Sequence, residues 1–407
     1  MTPRSVCVVS GSRADYGLLL PVMRALQADP AFRLQVAVTG MHLAPEYGLT
    51  YKIVEADGFA IDARVDVLVS SDTAAGNSKS VGLGVIGFAD AFERLQPDWV
   101  LLLGDRFEIF AAAQAALLAR LPIAHIAGGD VTEGAYDEAL RHGISKMAQL
   151  HFVTNADAAR RLRQMGEDPA NVHNVGSPAL DLLRDMTFWG RGQLELSLAF
   201  RLRPRNLLVT YHPETLSEGN EEAMAELFAA LEGLGQEVGL IFTKPNADAG
   251  GQAIAAAIDA FVAAHPNAVA HTSLGQQRYY SLMAQVDAVV GNSSSGLYEA
   301  PSFGLPTVNI GDRQKGRLRA ASVIDCPARR EAIAAAIAAA WSLDCSEAVN
   351  PYGDGQAAGR ILEVLRAVNE PRRLLQKHFH DWQENRGNLV PPLPQGEGWS
   401  EGGDKTP

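Results

Sequence analysis

The sequence predicts an α/β protein with two Rossmann-like domains, each built on a doubly wound parallel sheet. Short apolar segments alternate with helical segments along the chain, as expected for repeated βαβ units. The same alternation begins again near residue 206. The chain has 407 residues, which is enough for two domains of ordinary size.

The N-terminal domain is predicted to span residues 1–180. Residues 6–10 form an uninterrupted apolar run, typical of a parallel strand covered on both faces. The glycine turn that follows lacks the GxGxxG pattern, so it does not predict a dinucleotide site. The predicted strands are 6–10, 34–39, 99–103, 122–126 and 151–153, and the predicted helices are 18–28, 76–95, 107–120, 136–149 and 156–165.

The second domain is predicted to span residues 204–365, joined to the first near residues 178–204. Its predicted strands are 206–211, 238–243, 287–290 and 306–310, and its predicted helices are 220–234, 252–264, 279–284 and 330–341. Residues 366–387 are predicted to add C-terminal helices. Residues 388–407 are rich in Pro, Gly and Glu, so we predict a disordered tail without function.

Composition narrows the classes of function. The net charge is −12 and the chain has no long basic patch, which argues against nucleic-acid binding. The three cysteines are odd in number and lack metal-type spacing, as in a reduced, cytoplasmic protein. The sequence shows no signal peptide and no apolar run long enough for a bilayer, so no membrane association is expected.

The stretch at residues 290–299 is predicted to bind phosphate. A buried strand precedes it, three serines at 293–295 supply hydroxyl donors, and Gly296 permits close backbone approach. The N-terminus of a following helix would favour an anion. Glu299 is suited to accept hydrogen bonds from two ribose hydroxyls. The alternative from local chemistry is an ordinary serine N-cap with a capping carboxylate.

Other polar residues follow the predicted strands, where ligands of parallel sheets collect. Three cations, Arg313, Lys315 and Arg317, lie just after the strand that follows the serine turn, where the second half of a diphosphate would need charge. The remaining strand-end residues are Arg13, Asp15, His42, Asp105, Arg106, Asp130, His212 and Lys244. Taken alone, Asp105 and Asp130 also fit helix caps, and His42 a hydrogen-bonded loop residue. Together they predict a cleft between the domains.

Several long motifs resemble the hydrolysing UDP-N-acetylglucosamine 2-epimerases. They are GSRADYG, TGMHL, GDRFE, GGDVTEGAYDEALRH, YHPETLS, GNSSSGLYE and NIGDRQKGR. The resemblance covers about residues 4–366 and implies the two-domain architecture of the B-type glycosyltransferases. Members of the family begin sialic-acid-type pathways, and close relatives act on UDP-N,N'-diacetylbacillosamine on the way to legionaminic acid.

The resemblance implies a two-step reaction. The C2 proton of the sugar is removed and UDP leaves C1, which gives a 2-acetamidoglucal. Water then adds at C1 and a proton returns to C2 from the other face. The products are UDP and a free manno-configured N-acetyl sugar. No cofactor and no metal are required by this scheme, and no metal site is predicted.

The resemblance also assigns residues to roles. The implied catalytic residues are Asp105, Asp130, Asp137 and His212. The implied substrate- and UDP-binding residues are Arg13, His42, Asn246, Ser293, Ser294, Ser295, Gly296, Glu299 and Arg313. Many family members have Glu where this chain has Asp130, so either the backbone lies closer there or Glu133 takes part. Without the resemblance, Asp137 would be read as a charge favouring a helix N-terminus.

Some alternatives remain open at this point. A retaining glycosyltransferase would share the UDP cradle but would need an acceptor site. A non-catalytic nucleotide-sugar sensor would bind UDP and turn nothing over. The substituents at C4 and C6 of the sugar, and UDP versus GDP, are not specified by these motifs. We expect a homodimer or homotetramer, with the alanine-rich helical segments 111–119 and 333–340 as candidate contact faces.

Overall fold

The computed structural model describes residues 3–69, 73–132, 136–213, 219–245 and 250–381. Within these residues the chain forms two parallel sheets flanked by helices, which confirms the predicted α/β fold with two doubly wound domains. The predicted tail at residues 388–407 lies outside the described residues. No helix in the described part of the chain is long and apolar enough to span a bilayer.

The first sheet has strand order β3-β2-β1-β4-β5-β6-β7. Its strands are β1 (Arg4–Ser10), β2 (Phe32–Thr39), β3 (Ala63–Val65), β4 (Trp99–Leu103), β5 (Ile123–Ile126), β6 (Leu150–Val153) and β7 (Val172–Asn174). The helices around it are α1 (Arg13–Ala28), α2 (Tyr51–Ala56), α3 (Ala74–Leu95), α4 (Phe107–Leu118), α5 (Asp137–Met147) and α6 (Ala156–Gln164). The direction in which successive strands are added to the sheet reverses at β1, which pairs with β2 on one side and with β4 on the other.

Two short helices, α7 (Pro178–Asp185) and α8 (Arg191–Leu198), lead to the second sheet, whose order is β10-β9-β8-β11-β12-β13. Its strands are β8 (Arg205–Thr210), β9 (Val238–Thr243), β10 (Ala268–His271), β11 (Ala288–Gly291), β12 (Thr307–Ile310) and β13 (Val323–Cys326). Its helices are α9 (Asn220–Glu232), α10 (Gly251–Ala264), α11 (Gly275–Met283), α12 (Ser295–Tyr298) and α13 (Arg330–Ala340).

Side chains of the central strands alternate between the two faces of each sheet, and each face has its own hydrophobic core. In β1, Val6 and Val8 pack into one hydrophobic cluster, while Cys7 lies in the cluster on the opposite face. In β8, Leu207 and Leu208 divide in the same way. Successive strand residues point to opposite faces, so an uninterrupted apolar run is needed when helices cover both.

The last helix returns to the first domain. α14 (Ala357–Ala367) contributes Ile361 and Leu365 to the core cluster that contains α1. Both carboxylate oxygens of Asp181 in α7 accept the first backbone N–H groups of α14, at 2.9 and 2.7 Å. The second domain was predicted to end at residue 365, which assigns to that domain a helix that packs against α1 of the first domain. Burial of its apolar face decides its position, which sequence order alone does not give.

Beyond α14, the described chain is less helical than predicted for residues 366–387. It forms a single 3₁₀ turn, Pro371–Leu375, and then an irregular segment to residue 381. Lys377 of this segment donates to the carbonyl of Ala148 at 2.7 Å, and the backbone N–H of His380 donates to Gly166 at 2.9 Å. These bonds fix the segment to the first domain without regular structure.

Candidate active site

Both sheets place polar residues at their point of strand reversal. In the first sheet, the ends of β1 and β4 carry Asp15 and Asp105. In the second, the ends of β8 and β11 carry His212 and Asn292. Loops diverge in opposite directions at such a reversal and leave a crevice beyond the carboxyl ends of the strands. Each domain therefore contributes one half of a site.

One buried guanidinium organises the carboxylates of the first domain. Arg141 of α5 forms an ion pair with the carboxylate of Asp105. It also donates to the backbone oxygen of Asp130 at 2.8 Å and to the Thr132 hydroxyl at 2.9 Å. The pKa of Arg141 is raised because the charges of Asp105 and Asp130 outweigh the opposing effect of burial. Two of the predicted catalytic residues therefore surround one fixed cation.

Asp130 is held by donors from both domains. Its carboxylate is 5% exposed and accepts from the Thr154 hydroxyl at 2.9 and 3.1 Å and from the Asn155 amide at 3.1 Å. Asn155 is itself fixed, since its side-chain oxygen caps α6 by accepting from Ala158 at 2.8 Å. The fourth contact comes from the second domain, where the Tyr298 hydroxyl donates at 2.5 Å.

Asp137 begins α5, one turn before Arg141. Side chains four positions apart lie on the same face of a helix, so Asp137 starts the face that Arg141 presents to Asp105. The side chain is partly exposed, unlike that of Asp130. The third predicted catalytic carboxylate therefore belongs to the first domain and to the helix that carries Arg141.

A second group of carboxylates lies deeper, beneath the β1 and β4 ends. Asp15 is 7% exposed and accepts from the backbone N–H of Gly11 at 3.2 Å. Burial raises the pKa of Asp15 to about 6, against the opposing charge of Arg106. Glu108 is fully buried and accepts from Arg106 at 2.6 Å. This group supports the glycine turn from below, whereas Asp105 is more open to the cleft.

The second-domain half is organised by Asn292, which is fully buried at the end of β11. Its side chain accepts from the backbone N–H of His212 at 2.7 Å and donates to the His212 carbonyl at 2.8 Å. Its backbone oxygen accepts from Arg313 at 3.2 Å and from Gln314 at 2.7 Å. Gly291 precedes it with φ 132°, where a Cβ would overlap the Thr210 carbonyl. Only glycine permits this approach of β11 to β8.

The imidazole of His212 is neutral near pH 7. Burial, with a smaller contribution from the charge of Arg313, lowers its pKa to about 3. Its ring Nδ1 has no hydrogen-bond partner among the described residues. A neutral ring still has one N–H donor, so His212 can contact an anion without carrying charge beforehand.

The serine turn differs from the predicted helix start. α12 is only four residues long, Ser295–Tyr298, and is followed by a 3₁₀ turn, Ala300–Phe303. Pro301 ends the α-helical bonding because it has no N–H. The helix dipole is therefore weaker than the sequence predicts, and the hydroxyls matter more. Ser293 accepts from the backbone N–H of Ser295 at 3.3 Å, and the Ser295 hydroxyl accepts from Tyr279 at 2.8 Å.

Glu299 is the buried carboxylate of this turn. It is 8% exposed, and its Oε2 has no hydrogen-bond partner among the described residues. Burial raises its pKa to about 7. A buried acceptor without a partner is costly unless a ligand satisfies it. The position therefore fits the predicted contact with ribose hydroxyls.

Among the contacts that the described residues make between the two halves, three involve residues of the candidate site. Arg13 at the start of α1 lies so close to Gly275 that a Cβ there would overlap its guanidinium. Arg317 donates to the Val131 carbonyl at 2.9 Å and to the Thr132 hydroxyl at 2.8 Å. Arg317 was predicted to add charge near a diphosphate, but its guanidinium forms hydrogen bonds to the first domain instead. The third contact is the one between Tyr298 and Asp130.

Two of the predicted strand-end residues do not reach the cleft. His42 is fully buried, and its two ring nitrogens bond to Ser10 and Thr50, each at 2.9 Å. The prediction that His42 contacts substrate does not agree with this placement, since the ring supports the turn from within. Lys244 pairs with Asp259 of α10 at 2.7 Å. Asn246 and Glu133 lie outside the described residues.

Sequence reasoning missed several residues that hold the site together. Arg141, Asn292 and Tyr298 act through contacts between segments distant along the chain. Arg141 had a detectable signal, because it follows Asp137 by one helical turn in a predicted helix. The contact of Tyr298 depends on the approach of the two domains and has no local signal. Across the described residues, no cluster of three His, Cys, Asp or Glu side chains is arranged to hold a metal.

Two Rossmann-like domains, with carboxylates at the strand ends of one and a serine turn at those of the other, fit an enzyme that acts on a nucleotide-linked substrate, and the comparisons show one that acts on a glycosyl–nucleotide bond. Residues 24–366 match the family model described as UDP-N-acetylglucosamine 2-epimerase. The chain belongs to this family, within its hydrolysing branch.

Two curated relatives illustrate the range of the family. The chain is 42% identical over 327 residues to the Campylobacter jejuni GDP/UDP-N,N'-diacetylbacillosamine 2-epimerase (hydrolyzing), covering 80% of this chain and 85% of the relative. It is 34% identical over 386 residues to the Escherichia coli polysialic acid biosynthesis protein P7, covering 94% and 98%.

Solved structures agree on the fold. A putative UDP-N-acetylglucosamine 2-epimerase from Listeria monocytogenes superposes with TM-score 0.78 at 21% identity, covering 90% of this chain and 97% of that one. The Neisseria meningitidis UDP-GlcNAc 2-epimerase bound to UDP-GlcNAc gives TM-score 0.75 at 19% identity, covering 89% and 99%. At these identities the likeness concerns the fold.

Proposed function

We propose that this enzyme converts a UDP-linked 2-acetamido sugar to UDP and the free manno-configured sugar, through elimination and rehydration. The observation that carries the proposal is Arg141, which pairs with the Asp105 carboxylate and donates to the backbone oxygen of Asp130, together with His212 fixed by Asn292 in the other domain. Proton transfer at carbon needs a positioned acid or base, and departure of a diphosphate needs fixed positive groups. The two halves of the site supply one requirement each.

In the first step, a carboxylate takes the C2 proton and the C1–O bond to UDP breaks. The electron pair of the C2–H bond becomes the C1–C2 double bond of a 2-acetamidoglucal, and UDP leaves with the C1–O electrons. Asp105, Asp130 and Asp137 are the groups proposed for this proton transfer. The Arg141 guanidinium holds the Asp105 carboxylate and the backbone of Asp130 in place within a buried site.

The anion-binding residues of the second domain would stabilise the negative charge that develops on UDP. Arg313 and the hydroxyls of residues 293–295 are proposed to bind the diphosphate, with Arg13 reaching it from the first domain. His212 is neutral before substrate binds, so its N–H donates to a phosphate oxygen. The unpartnered oxygen of Glu299 would accept the ribose hydroxyls.

In the second step, water adds to the glucal. Its oxygen bonds to C1, its proton goes to one of the carboxylates, and C2 receives a proton from the face opposite to the one that lost it. Inversion at C2 therefore needs groups on two sides of the sugar. Asp130, fixed at the domain contact, and Asp137, on α5, are proposed to act from different sides.

Two sugars fit this scheme. Sequence motifs alone favour UDP-N-acetylglucosamine, which gives N-acetylmannosamine for sialic-acid biosynthesis. The Campylobacter relative, at 42% identity, is named for the diacetyl sugar of legionaminic acid biosynthesis. The E. coli relative, at 34%, is named for polysialic acid. The higher identity leads us to place UDP-N,N'-diacetylbacillosamine first and UDP-N-acetylglucosamine second.

The test offers each UDP-sugar, and its GDP-linked analogue, to the purified protein without an acceptor. We expect UDP and a free manno-configured sugar as the products, with faster turnover of UDP-N,N'-diacetylbacillosamine than of UDP-N-acetylglucosamine. Release of a gluco-configured sugar would favour a glycosyltransferase-like hydrolysis instead. Binding of UDP without any turnover would favour a sensor.

We also propose self-association as a homodimer or homotetramer. Within the segments predicted as contact faces, Ala112 and Ala116 of α4 and Ile337 of α13 are buried in the core clusters, whereas Leu117 and Leu118 of α4 are exposed. On the adjacent helix α3, Leu83 and Ile86 are exposed as well, so we propose these apolar residues of α3 and α4 as the contact face. Light scattering should give at least a dimer, and Ile86→Lys should lower the mass. A monomeric wild-type protein would refute the proposal.

A further inference from the structure

We propose that Tyr298 is a positioning residue for Asp130, through which the nucleotide-binding turn sets the orientation of a proton-transfer carboxylate in the other domain. The inference rests on the function proposed above. Tyr298 ends α12, which begins at Ser295 of the serine turn. A four-residue helix therefore connects the predicted phosphate contacts to a hydroxyl that reaches Asp130.

The geometry fixes the phenol ring before it makes this contact. The ring stacks on Tyr352 with centroids 3.7 Å apart and planes 18° apart. The guanidinium of Arg317 lies 5.5 Å from the centroid of the Tyr298 ring. Arg317 is itself held by hydrogen bonds to Val131 and Thr132. The backbone oxygen of Tyr298 accepts from Asn350 at 2.7 Å. With ring and backbone held, the hydroxyl has little freedom except to donate to Asp130.

The contact is specific to one oxygen of the carboxylate. Oδ1 of Asp130 accepts from Thr154 and Asn155, both in its own domain. Oδ2 accepts from Tyr298 at 2.5 Å and more distantly from Thr154 at 3.1 Å. Among the described residues, Tyr298 is the donor that the second domain brings to this carboxylate. The orientation of Oδ2 therefore depends on the approach of the domains.

Tyr298 acts as a donor throughout the working pH range. Burial and the charge of Asp130 raise the pKa of its hydroxyl well above the ordinary value. A neutral phenol cannot take the C2 proton itself, so its effect passes through Asp130. Nucleotide bound at the serine turn holds α12 in place, and α12 holds the carboxylate. Substrate binding and correct carboxylate orientation thus occur together.

The test compares Tyr298→Phe with Tyr352→Phe. Both substitutions keep the stacked rings and remove one hydroxyl, since Tyr352 donates to the Leu318 carbonyl at 3.0 Å. For Tyr298→Phe we expect kcat to fall about tenfold or more, the scale of a hydrogen bond to a charged group. UDP affinity, measured by calorimetry, and the thermal unfolding midpoint should match those of Tyr352→Phe. The control should keep kcat within about threefold of wild type.

Each outcome bears on the inference. Equal kcat in the two variants would overturn it. A Tyr298→Phe protein that loses UDP affinity or unfolds more readily than the control would also overturn it, because the hydroxyl would then serve binding or stability. A wild-type protein that turns over no nucleotide sugar would instead refute the proposed function, so the two failures are distinguishable.

Discussion

Arg141 forms an ion pair with Asp105 while it donates to the backbone oxygen of Asp130, so one guanidinium sets the separation of two candidate catalytic segments. The Arg141 side chain is 4% exposed and that of Asp105 is 22% exposed. The cation is thus fixed inside, and the carboxylate it holds remains accessible from the cleft. Asp137 stands one turn earlier on the same helix as Arg141.

The carboxylates give the first prediction. Asp105→Asn, Asp130→Asn and Asp137→Asn each keep the side-chain shape and remove the titrating group. Each should lower turnover at least about a hundredfold, the low end for a positioned acid or base. UDP affinity should stay near wild type, because the cradle lies in the other domain. Steady-state kinetics and calorimetry measure the two effects. Asp98→Asn is the control and should keep full turnover, because Asp98 lies at the amino ends of β1 and β4, opposite the strand ends that carry the site.

The second prediction concerns the nucleotide. Arg313→Ala should weaken UDP binding by about 1.5–3 kcal/mol, since a charge-assisted hydrogen bond to phosphate is lost. The matched control is Arg205→Ala, because Arg205 lies at the start of β8 with its guanidinium 4.4 Å from the Trp341 ring centroid, away from the cleft. Calorimetry should show wild-type affinity for that variant. If Arg313→Ala bound UDP with wild-type affinity, Arg313 would not be a UDP-binding residue.

Much of the fold was predictable from the sequence because central strands carry strong local signals. The strand 99–103 and the strand 238–243 were predicted with the bounds they have in the structure. β3, β7, β10 and β13 were missed, since edge strands of three or four residues bury too few side chains to show a period.

The site was predictable in its residue types and less so in its contacts. Asp105 and Arg313 follow strands, and strand ends meet at one sheet edge by topology alone. His42 follows a strand too, yet its ring turns inward to Ser10 and Thr50. Whether a strand-end side chain faces the cleft depends on local turn geometry. The Tyr298–Asp130 contact depends further on how two separate cores approach, which no local pattern encodes.

The third prediction uses the pKa of Glu299, which burial raises to about 7. The protonated form predominates below that pH and the carboxylate above it. A carboxylate accepts ribose hydroxyls better than the neutral acid, so UDP affinity should rise between about pH 6 and pH 8. Glu299→Gln should bind UDP more weakly than wild type at the higher pH, and its UDP affinity should change less with pH. Any change due to the ionisation of UDP itself is the same for both proteins. Parallel profiles would exclude the ribose contact.

The fourth prediction concerns acid stability. Glu167 accepts from Lys146 and Lys377 at 2.6 Å and from His151 at 2.9 Å, with its side chain 1% exposed. Burial raises its pKa, but the hydrogen bonds from these three groups outweigh burial and lower the pKa to about 2. Because the pKa of Glu167 is lower in the folded state, its ionised form stabilises the protein at pH values above the ordinary pKa of 4.5. That stability is lost as pH falls from about 4.5 towards 2.

Glu167→Gln should therefore be less stable than wild type at pH 6, by about 3 kcal/mol or more for a broken buried ion cluster. The difference should shrink as the pH of urea unfolding is lowered towards 3. Glu370→Gln is the control, because its partner Arg373 is largely exposed, and it should stay within about 0.5 kcal/mol of wild type. A constant difference across pH would contradict the assignment.

The proton at C2 tests the central claim most directly. In the proposed mechanism a carboxylate removes this proton, and an exchangeable group returns one from the other face. Turnover by wild-type enzyme in deuterated water should give a free manno-configured sugar with one deuterium at C2, seen by NMR and mass spectrometry. A free sugar that still carries its original hydrogen at C2, with gluco configuration, would contradict the account.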